Sequence, residues 1–209
     1  MRLDPAGLPF ILGAIALAVV SGAAIGWLLA IPFLILGSFF VFFFRDPPRH
    51  APADRDHVVL SPADGRVLVA GPAVASAAPA GEWQQISIFL SPMDVHVNRV
   101  PASGRVTRVS YTPGKFLVAS RPDAATVNER SEIWIDHHGQ MVVARQIVGF
   151  LARRVVCRVQ MGADVRAGDR YGVMKFGSRM DVFLPVTAVI AVTVGQQVRG
   201  GETVIAVLH

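Results

Sequence analysis

The chain has a single cysteine, Cys157, among its 209 residues. A disulfide framework needs at least two cysteines, and a cysteine-built zinc site needs several. The sequence therefore excludes a disulfide-stapled secreted domain and a thiolate zinc centre.

Lysine is scarce, and acidic residues are in the minority. Arginine supplies 18 of the 20 basic residues, and the formal net charge is +5. Such a surplus suits an anionic partner, either phospholipid head groups or nucleic acid. A basic nucleic-acid-binding β module is one alternative, but the chain lacks the aromatic cluster typical of RNA-binding sheets. We expect no nucleic-acid partner.

Charge is missing altogether from residues 5–44, a run of 40 residues. One bilayer crossing needs roughly 20 apolar residues, whereas the apolar region of a secretory signal has only about 7–15. The run fits two short spans with a turn near Ser21 to Trp27, or one span plus an interfacial segment. Residues 1–50 are therefore predicted to be a membrane anchor and its linker.

The charges that flank this run predict its orientation. Arg2 precedes it, and Arg45, Arg49 and Arg55 follow it. Basic flanks stay on the cytoplasmic side of a membrane. We expect location in the cell membrane, with the domain that follows on the cytoplasmic side.

Residues 51–209 contain short runs rich in valine and isoleucine, separated by glycine and proline. Such strands at close spacing predict a mainly β domain, a sandwich or barrel-like fold. His137-His138-Gly139 is expected to form a solvated hairpin tip rather than a metal site, since no second ligand cluster accompanies it.

An internal repeat with an offset of 33 residues lies near the C-terminus. Each copy reads as a strand, a turn and a second strand. The first copy contains Gly162, Val165, Gly168, Asp169 and Val173, and the second contains Gly195, Val198, Gly201, Glu202 and Ala206.

Duplicated hairpins on either side of a lysine resemble the biotinyl and lipoyl carrier domains. Lys175 lies between the two copies, in the sequence Val173-Met174-Lys175-Phe176. A membrane-tethered carrier modified at Lys175 is therefore an alternative function.

Five motifs in order along the chain favour a different function. They are Ser61-Pro62-Ala63-Asp64-Gly65, the run from Ser91 to Arg99 (SPMDVHVNR), Pro113-Gly114-Lys115-Phe116, Asn128-Glu129-Arg130, and Gly177-Ser178. With the apolar N-terminus, these motifs resemble the phosphatidylserine decarboxylase proenzymes, particularly the short, archaeal-type ones. The resemblance covers essentially the whole chain.

The resemblance implies self-cleavage before Ser178 into residues 1–177 and 178–209, which stay together as a heterodimer; a higher oligomer is left open. Ser178 would become a covalent pyruvoyl group, and no metal or diffusible cofactor is implied. The pyruvoyl ketone would form a Schiff base with phosphatidylserine, an anionic membrane phospholipid, and accept electrons as carbon dioxide leaves. The product would be phosphatidylethanolamine.

The resemblance also implies roles for four residues. Ser178 is the pyruvoyl precursor, Gly177 keeps the attacked carbonyl accessible, Asp64 is the carboxylate of the self-cleavage site, and His96 transfers a proton near the substrate. Without the family context, Asp64 before Gly65 would be an ordinary turn residue, and His96 an ordinary strand histidine.

One position departs from the longer bacterial relatives, which carry a second histidine three positions after the first. Arg99 occupies that place here. Either His96 serves both steps, or another group activates Ser178.

Overall fold

The structure is a computed structural model that describes residues 2–121, 123–150, 155–175 and 178–209. The chain divides into two compact units, Met1–Pro48 and Arg49–His209. Phe176 and Gly177, which precede the expected cleavage point, lie outside the described residues.

The first unit is an antiparallel pair of apolar helices. Its elements are strand β1 (Arg2–Leu3), helix α1 (Leu8–Ala24), helix α2 (Ile31–Phe43) and strand β2 (Arg45–Asp46). Arg2 pairs with Asp46 and Leu3 with Arg45, so both ends of the hairpin meet.

The helix that spans Pro5–Ala24 is long and apolar enough to cross a membrane, with a mean hydropathy of 2.1. The second apolar helix, Trp27–Phe43, is shorter. Between them the chain reverses at Gly26, whose φ of +144° suits only glycine. Gly37 of α2 lies beside Ala14 of α1, and small residues of this kind let two helices approach closely.

The second unit is built almost entirely from strands, as the sequence predicts. Among its described residues, the one short helix is α3 (Ala124–Val127), between β7 and β8. The strands are β3 (Val58–Leu60), β4 (Gly65–Pro72), β5 (Gln84–Leu90), β6 (Val97–Arg99), β7 (Gly104–Thr112), β8 (Arg130–His137), β9 (Gln140–Val148), β10 (Val155–Cys157), β11 (Asp164–Val165), β12 (Arg170–Met174), β13 (Ser178–Leu184), β14 (Val189–Ile190), β15 (Gln197–Val198) and β16 (Val204–Val207).

The largest sheet has eight antiparallel strands in the order β11-β7-β8-β9-β13-β5-β4-β15 and curls into a half-barrel. Two three-stranded sheets, β10-β12-β6 and β14-β16-β3, complete the unit. Apolar side chains from all three sheets form one buried core, for example Ile88, Ile135, Tyr171, Met180 and Ile205. Strand β13 lies near the middle of the large sheet, where burial is greatest.

The two edges of the large sheet have the same local structure. Gly65 and Gly104 both have a φ of +151°, and a Cβ on either would clash with a backbone oxygen of the next strand. Val198 pairs with Gly65, and Val165 pairs with Gly104. The sequence carries the signal for this match, since Pro62-Ala63-Asp64-Gly65-Arg66-Val67 resembles Pro101-Ala102-Ser103-Gly104-Arg105-Val106.

The 33-residue repeat forms the outer strands of this arrangement. Each copy is a strand, a turn and a second strand, as predicted, and the two strands of a copy join different sheets. Strands β11 and β15 extend the large sheet, while β12 and β16 enter the small ones. Gly168 and Gly201 turn the chain between layers with positive φ values of 90° and 75°.

The predicted hairpin at His137-His138-Gly139 is confirmed, but the expected solvation is wrong for His137, which is buried and lies 2.7 Å through Nδ1 from the Ser103 carbonyl oxygen. His137 pairs with Gln140, and His138 and Gly139 form the two-residue loop with φ values of 51° and 85°. Positive φ at both loop positions is typical of tight hairpins.

Candidate active site

Ser178 is the first residue of β13 and is fully buried. It pairs with Leu90 at the end of β5 and with Val148 at the end of β9. Its Oγ has no hydrogen-bond partner among the described residues. Leaving a buried hydroxyl unsatisfied costs about 1–3 kcal/mol, so an orphan of this kind calls for an explanation.

His96 lies between β5 and β6, and its backbone contacts the end of β12. Its carbonyl oxygen accepts a hydrogen bond from Met174 N at 3.3 Å, at the end of β12 four residues before Ser178. The ring is fully buried, and Nδ1 lies 3.0 Å from the Asp94 carbonyl oxygen. Because a carbonyl only accepts, Nδ1 must carry the proton, and a neutral ring then has its basic lone pair on Nε2.

A buried amide pair connects β6 to the large sheet near this point. Gln146 Nε2 donates to Asn98 Oδ1 at 2.8 Å, while Asn98 Nδ2 and Gln146 Oε1 have no partner in the described part of the chain. Gln146 is two residues from Val148, the partner of Ser178. This pair was not predicted, although a glutamine within the largely apolar run MVVARQIV is a visible signal in the sequence.

Two further motifs meet beside Val148. Asn128 is fully buried, and its Nδ2 donates to the carbonyl oxygens of Val148 and Leu117, both at 2.8 Å. Lys115 forms a parallel bridge with Asn128. A Cβ at Gly114 would lie 2.4 Å from the backbone of Asn128, so only glycine permits this approach.

Asp64 is further away. Its carboxylate accepts from Arg49 Nη2 at 2.9 Å and from Gly200 N at 2.8 Å. Arg66 of β4 and Arg179 of β13 both pair with Phe89, so β5 separates the two strands. At two strand spacings, β4 and β13 are about 10 Å apart.

Ser103 occupies the equivalent place at the other edge of the sheet. Its Oγ accepts from Ala167 N at 3.0 Å, just as Asp64 accepts from Gly200 N. Asp64 therefore has a structural role that its counterpart shares, and it differs by carrying the charge that binds Arg49.

The phosphatidylserine decarboxylase family model matches residues 36–206. The chain belongs to the phosphatidylserine decarboxylase family. The proenzyme of Nitrosomonas europaea is 42% identical over 204 residues, which is 97% of this chain and 94% of the relative. That of Granulibacter bethesdensis is 43% identical over 97% of this chain and 84% of its own, and that of Pelodictyon phaeoclathratiforme 46% over 80% and 78%. All three relatives are named phosphatidylserine decarboxylase proenzymes.

In this member of the decarboxylase family, Arg99 makes structural contacts with the glycine turns of the repeat. The buried side chain donates from Nη1 to the Gly168 carbonyl oxygen at 3.1 Å, and its Cδ would contact a Cβ placed on Gly201. It therefore packs on both glycine turns of the repeat. A guanidinium does not deprotonate in proteins, so Arg99 cannot act as a general base.

Other reactive groups do not fit a role at Ser178. Burial raises the pKa of the Cys157 thiol, which keeps it protonated and unreactive near neutral pH. Lys175 is half-buried and directly follows the core strand β12. Among the described residues, no group of three or more His, Cys, Asp or Glu is placed to hold a metal ion.

The outer face of β13 carries a buried ion pair. Arg179 Nε donates to Asp181 Oδ1 at 2.6 Å, and Arg179 Nη2 donates to Ser87 Oγ at 2.9 Å. Both charged side chains alternate with the inward-facing Ser178, Met180 and Val182. This ion pair was not predicted from the sequence, although two charges inside a central strand of a sheet are an unusual pattern.

Proposed function

We propose that this protein decarboxylates phosphatidylserine to phosphatidylethanolamine and that it does so with a pyruvoyl group made from Ser178. The buried, unpartnered Ser178 Oγ at the start of β13 is the observation that supports the proposal most directly. Family membership supplies the substrate class, and the name proenzyme, which the relatives carry, fits cleavage of one chain into two.

The proposed cleavage begins when the Ser178 hydroxyl attacks the Gly177 carbonyl carbon. The hydroxyl proton passes to a base, the C–N bond between the two residues breaks, and an ester links residue 177 to the Ser178 oxygen. Elimination then removes the Ser178 α-proton and expels the carboxylate of residue 177. The enamine left at residue 178 tautomerises to an imine, and water hydrolyses this imine to the ketone and releases ammonia. The two resulting chains are residues 1–177 and residues 178–209.

We assign the base to His96. The hydrogen bond from Nδ1 to the Asp94 carbonyl supports the tautomer that carries a lone pair on Nε2, and the His96 carbonyl oxygen accepts from Met174 N, four residues before Ser178 in the chain. The same imidazole is proposed to return a proton to the substrate carbon after carbon dioxide leaves. Ser103, at the other edge of the sheet, accepts the equivalent backbone hydrogen bond without carrying a charge. Because the charge is what distinguishes Asp64 from Ser103, we propose that Asp64 supports cleavage through its charge.

The polar interior fits a small covalent carbonyl group. Besides Ser178 Oγ, Asn98 Nδ2 is an unpartnered buried donor in the described chain. Such donors can form hydrogen bonds with a ketone oxygen, whereas an apolar group in the same place would leave them unsatisfied. When formed, the pyruvoyl group would supply the electron sink for the bond that releases carbon dioxide.

A direct assay tests the proposed reaction. Full-length protein in mixed micelles should release carbon dioxide from phosphatidylserine labelled in its carboxyl group, and Ser178→Ala should release none. Ser131→Ala, which removes another buried serine hydroxyl of the large sheet, is the matched control and should retain activity. Release by Ser178→Ala at the wild-type rate would refute the assignment.

We also propose that the first unit anchors the enzyme in the cell membrane, with the catalytic unit in the cytoplasm. The paired ends of the hairpin put Arg2 and Arg45 on one side of the anchor, as the charge rule requires of two crossings. Protease added outside intact cells should leave residues 49–209 uncut. Digestion without cell rupture would contradict this orientation.

A further inference from the structure

Three strands of the large sheet have their ends together at Ser178. Ser178 begins β13, and it pairs with Leu90, the last residue of β5, and with Val148, the last residue of β9. Paired residues of antiparallel strands have Cα atoms about 4.5–5.5 Å apart. The loops that leave β5 and β9 therefore begin one residue beyond the direct neighbours of the proposed pyruvoyl position.

A third loop reaches the same end of the sheet. The carbonyl oxygens of Val148 and Leu117 both accept a hydrogen bond from Asn128 Nδ2, each at 2.8 Å. Leu117 N in turn donates to Asn128 Oδ1 at 3.0 Å. One buried side chain thus holds the loop that contains Leu117 and Val118 beside the end of β9.

Each of these three loops exposes a large apolar side chain. Met93 is 60% exposed in the loop after β5, Phe150 is 66% exposed in the loop after β9, and Val118 is 49% exposed in the loop before α3. Single apolar residues scattered over a surface need no explanation, whereas several at one end of a sheet indicate an interaction site. We call Met93, Val118 and Phe150 the loop surface.

Tight turns fix the backbone that carries two of these side chains. Asp94 N donates to the Ser91 carbonyl oxygen at 2.9 Å, and Ser91 N donates to Asp94 Oδ2 at 2.8 Å, so Met93 lies within a closed turn. Arg121 N donates to the Val118 carbonyl oxygen at 3.0 Å and closes a second turn. The exposure of these apolar groups is therefore a property of the folded loops.

The charges of the three loops suit an anionic bilayer. Lys115 is exposed in the loop before α3, where it can attract anionic head groups. The acidic groups are held within the protein. The Asp94 carboxylate accepts from a backbone N–H, Asp123 is bound by Arg121 through two hydrogen bonds of 3.0 Å, and Glu129 is buried.

We propose that the loop surface enters the boundary between the head groups and the acyl chains of the bilayer, so that phosphatidylserine reaches residue 178 directly from the membrane. The inference rests on the proposed function, which also identifies the occupant. Ser178 is fully buried, its substrate is a membrane lipid, and these loops border the strand ends that surround it. A protein partner would account for the apolar side chains but not for their place beside a site that takes a lipid.

Site-specific fluorescence tests this contact. In the full-length Ser178→Ala chain, Cys157→Ala removes the native thiol, and Met93→Cys, Val118→Cys or Phe150→Cys then carries a polarity-sensitive fluorophore. The protein is placed in vesicles of phosphatidylcholine with a minor share of phosphatidylserine, with or without a nitroxide on the acyl chains. We expect a blue shift of the emission and quenching by the nitroxide at all three positions.

Val186→Cys is the matched control. Val186 is also apolar, is 51% exposed, and lies two residues beyond Leu184, at the opposite end of β13. The nitroxide should quench its label several-fold less than the labels of the loop surface. Equal quenching at Val186 and at the loop surface would overturn the inference, because the β unit would then present no particular end to the membrane.

A second pair of variants guards against effects of the fluorophore itself. Val118→Glu places a carboxylate in the loop surface, and moving a charge into lipid is costly, so this change should reduce quenching of the label at Met93→Cys. Val186→Glu should leave that quenching unchanged. Both glutamates replace exposed side chains, so the fold should be kept. Undiminished quenching in Val118→Glu would overturn the inference.

The remaining outcomes separate this inference from the alternatives. Shielding of the labels that rises with protein concentration, without quenching by the nitroxide, would assign the loop surface to a second copy of the chain and overturn the membrane contact. Absence of quenching in a protein whose wild-type chain cleaves itself and decarboxylates phosphatidylserine would overturn this inference alone. Quenching at the loop surface of a protein whose wild-type chain never cleaves would instead overturn the proposed function.

Discussion

At the scale of single residues, His96 and Asp64 have different environments. His96 is fully buried and bound to the Asp94 carbonyl, whereas Asp64 is held by Arg49 and Gly200. The two residues are therefore expected to respond differently to substitution.

Replacing His96 should affect both proposed proton transfers. We expect His96→Gln to slow self-cleavage and to lower decarboxylation by about 10²–10⁴-fold, the usual contribution of a positioned acid–base group. The appearance of the two chains over time and the turnover of the processed fraction measure these effects. His137→Gln, which alters another buried histidine bonded to the Ser103 carbonyl, is the control. Wild-type cleavage and turnover in His96→Gln would remove His96 from the mechanism.

Replacing Asp64 by serine copies the arrangement at Ser103. Asp64→Ser should keep a hydrogen bond to Gly200 N but lose the charge that binds Arg49, at a cost of about 1–3 kcal/mol in the free energy of unfolding. We expect the folded variant to cleave itself at least about tenfold more slowly. Ser103→Ala, which loses the equivalent hydrogen bond, should lower stability by about 1 kcal/mol and cleave normally.

The outcome for Asp64→Ser decides between two roles. Normal cleavage by a folded Asp64→Ser protein would show that Asp64 serves only to hold the turn.

At the scale of secondary-structure elements, Gly65 and Gly104 allow the strands near the two edges of the large sheet to approach the neighbouring strands closely. Gly104→Ala should be strongly destabilising, because its Cβ would lie 2.2 Å from the Asp136 carbonyl oxygen at a φ of +151°. Gly71→Ala has nearly the same φ, +154°, but meets nothing within 4 Å. Gly71→Ala should cost about 1–2 kcal/mol through backbone strain, and Gly104→Ala clearly more. Equal midpoints of denaturation would contradict this explanation.

Periodicity and turn residues predict most of these elements. Short runs rich in valine and isoleucine, separated by turn residues, predict strands at β8 and β9, and the His138-Gly139 tip lies at the turn signal between them. The 33-residue repeat also predicts its strands. Which sheet each strand joins is absent from this pattern, because Gly168 and Gly201 send the chain into another layer through long-range pairing.

Only some residues of the candidate site can be predicted from the sequence. Ser178, His96 and Asp64 follow from motif resemblance, and no local pattern gives their separation. Arg179, Gln146 and Asn98 were missed because each is an ordinary polar residue until the sheets pack. Their importance arises only from burial, which leaves some of their polar atoms without partners.

At the scale of the whole molecule, the protein combines an apolar helical hairpin with a β unit of the phosphatidylserine decarboxylase family. A lipid substrate gives a physical reason for this combination, since an anchored enzyme meets a substrate confined to the same membrane. Under the proposed function, the unsatisfied Ser178 hydroxyl in the uncut chain is a feature of the precursor, and cleavage produces the active enzyme.

The intact mass of the purified full-length protein under denaturing conditions tests this conclusion most directly. We predict two polypeptides, residues 1–177 and residues 178–209, the second with a blocked N-terminus that reacts with ketone reagents, and a single chain for Ser178→Ala. One uncut wild-type chain with the mass of the unmodified sequence would contradict self-cleavage at Ser178. An uncut chain with a biotinyl or lipoyl group on Lys175 would contradict it in favour of a carrier domain.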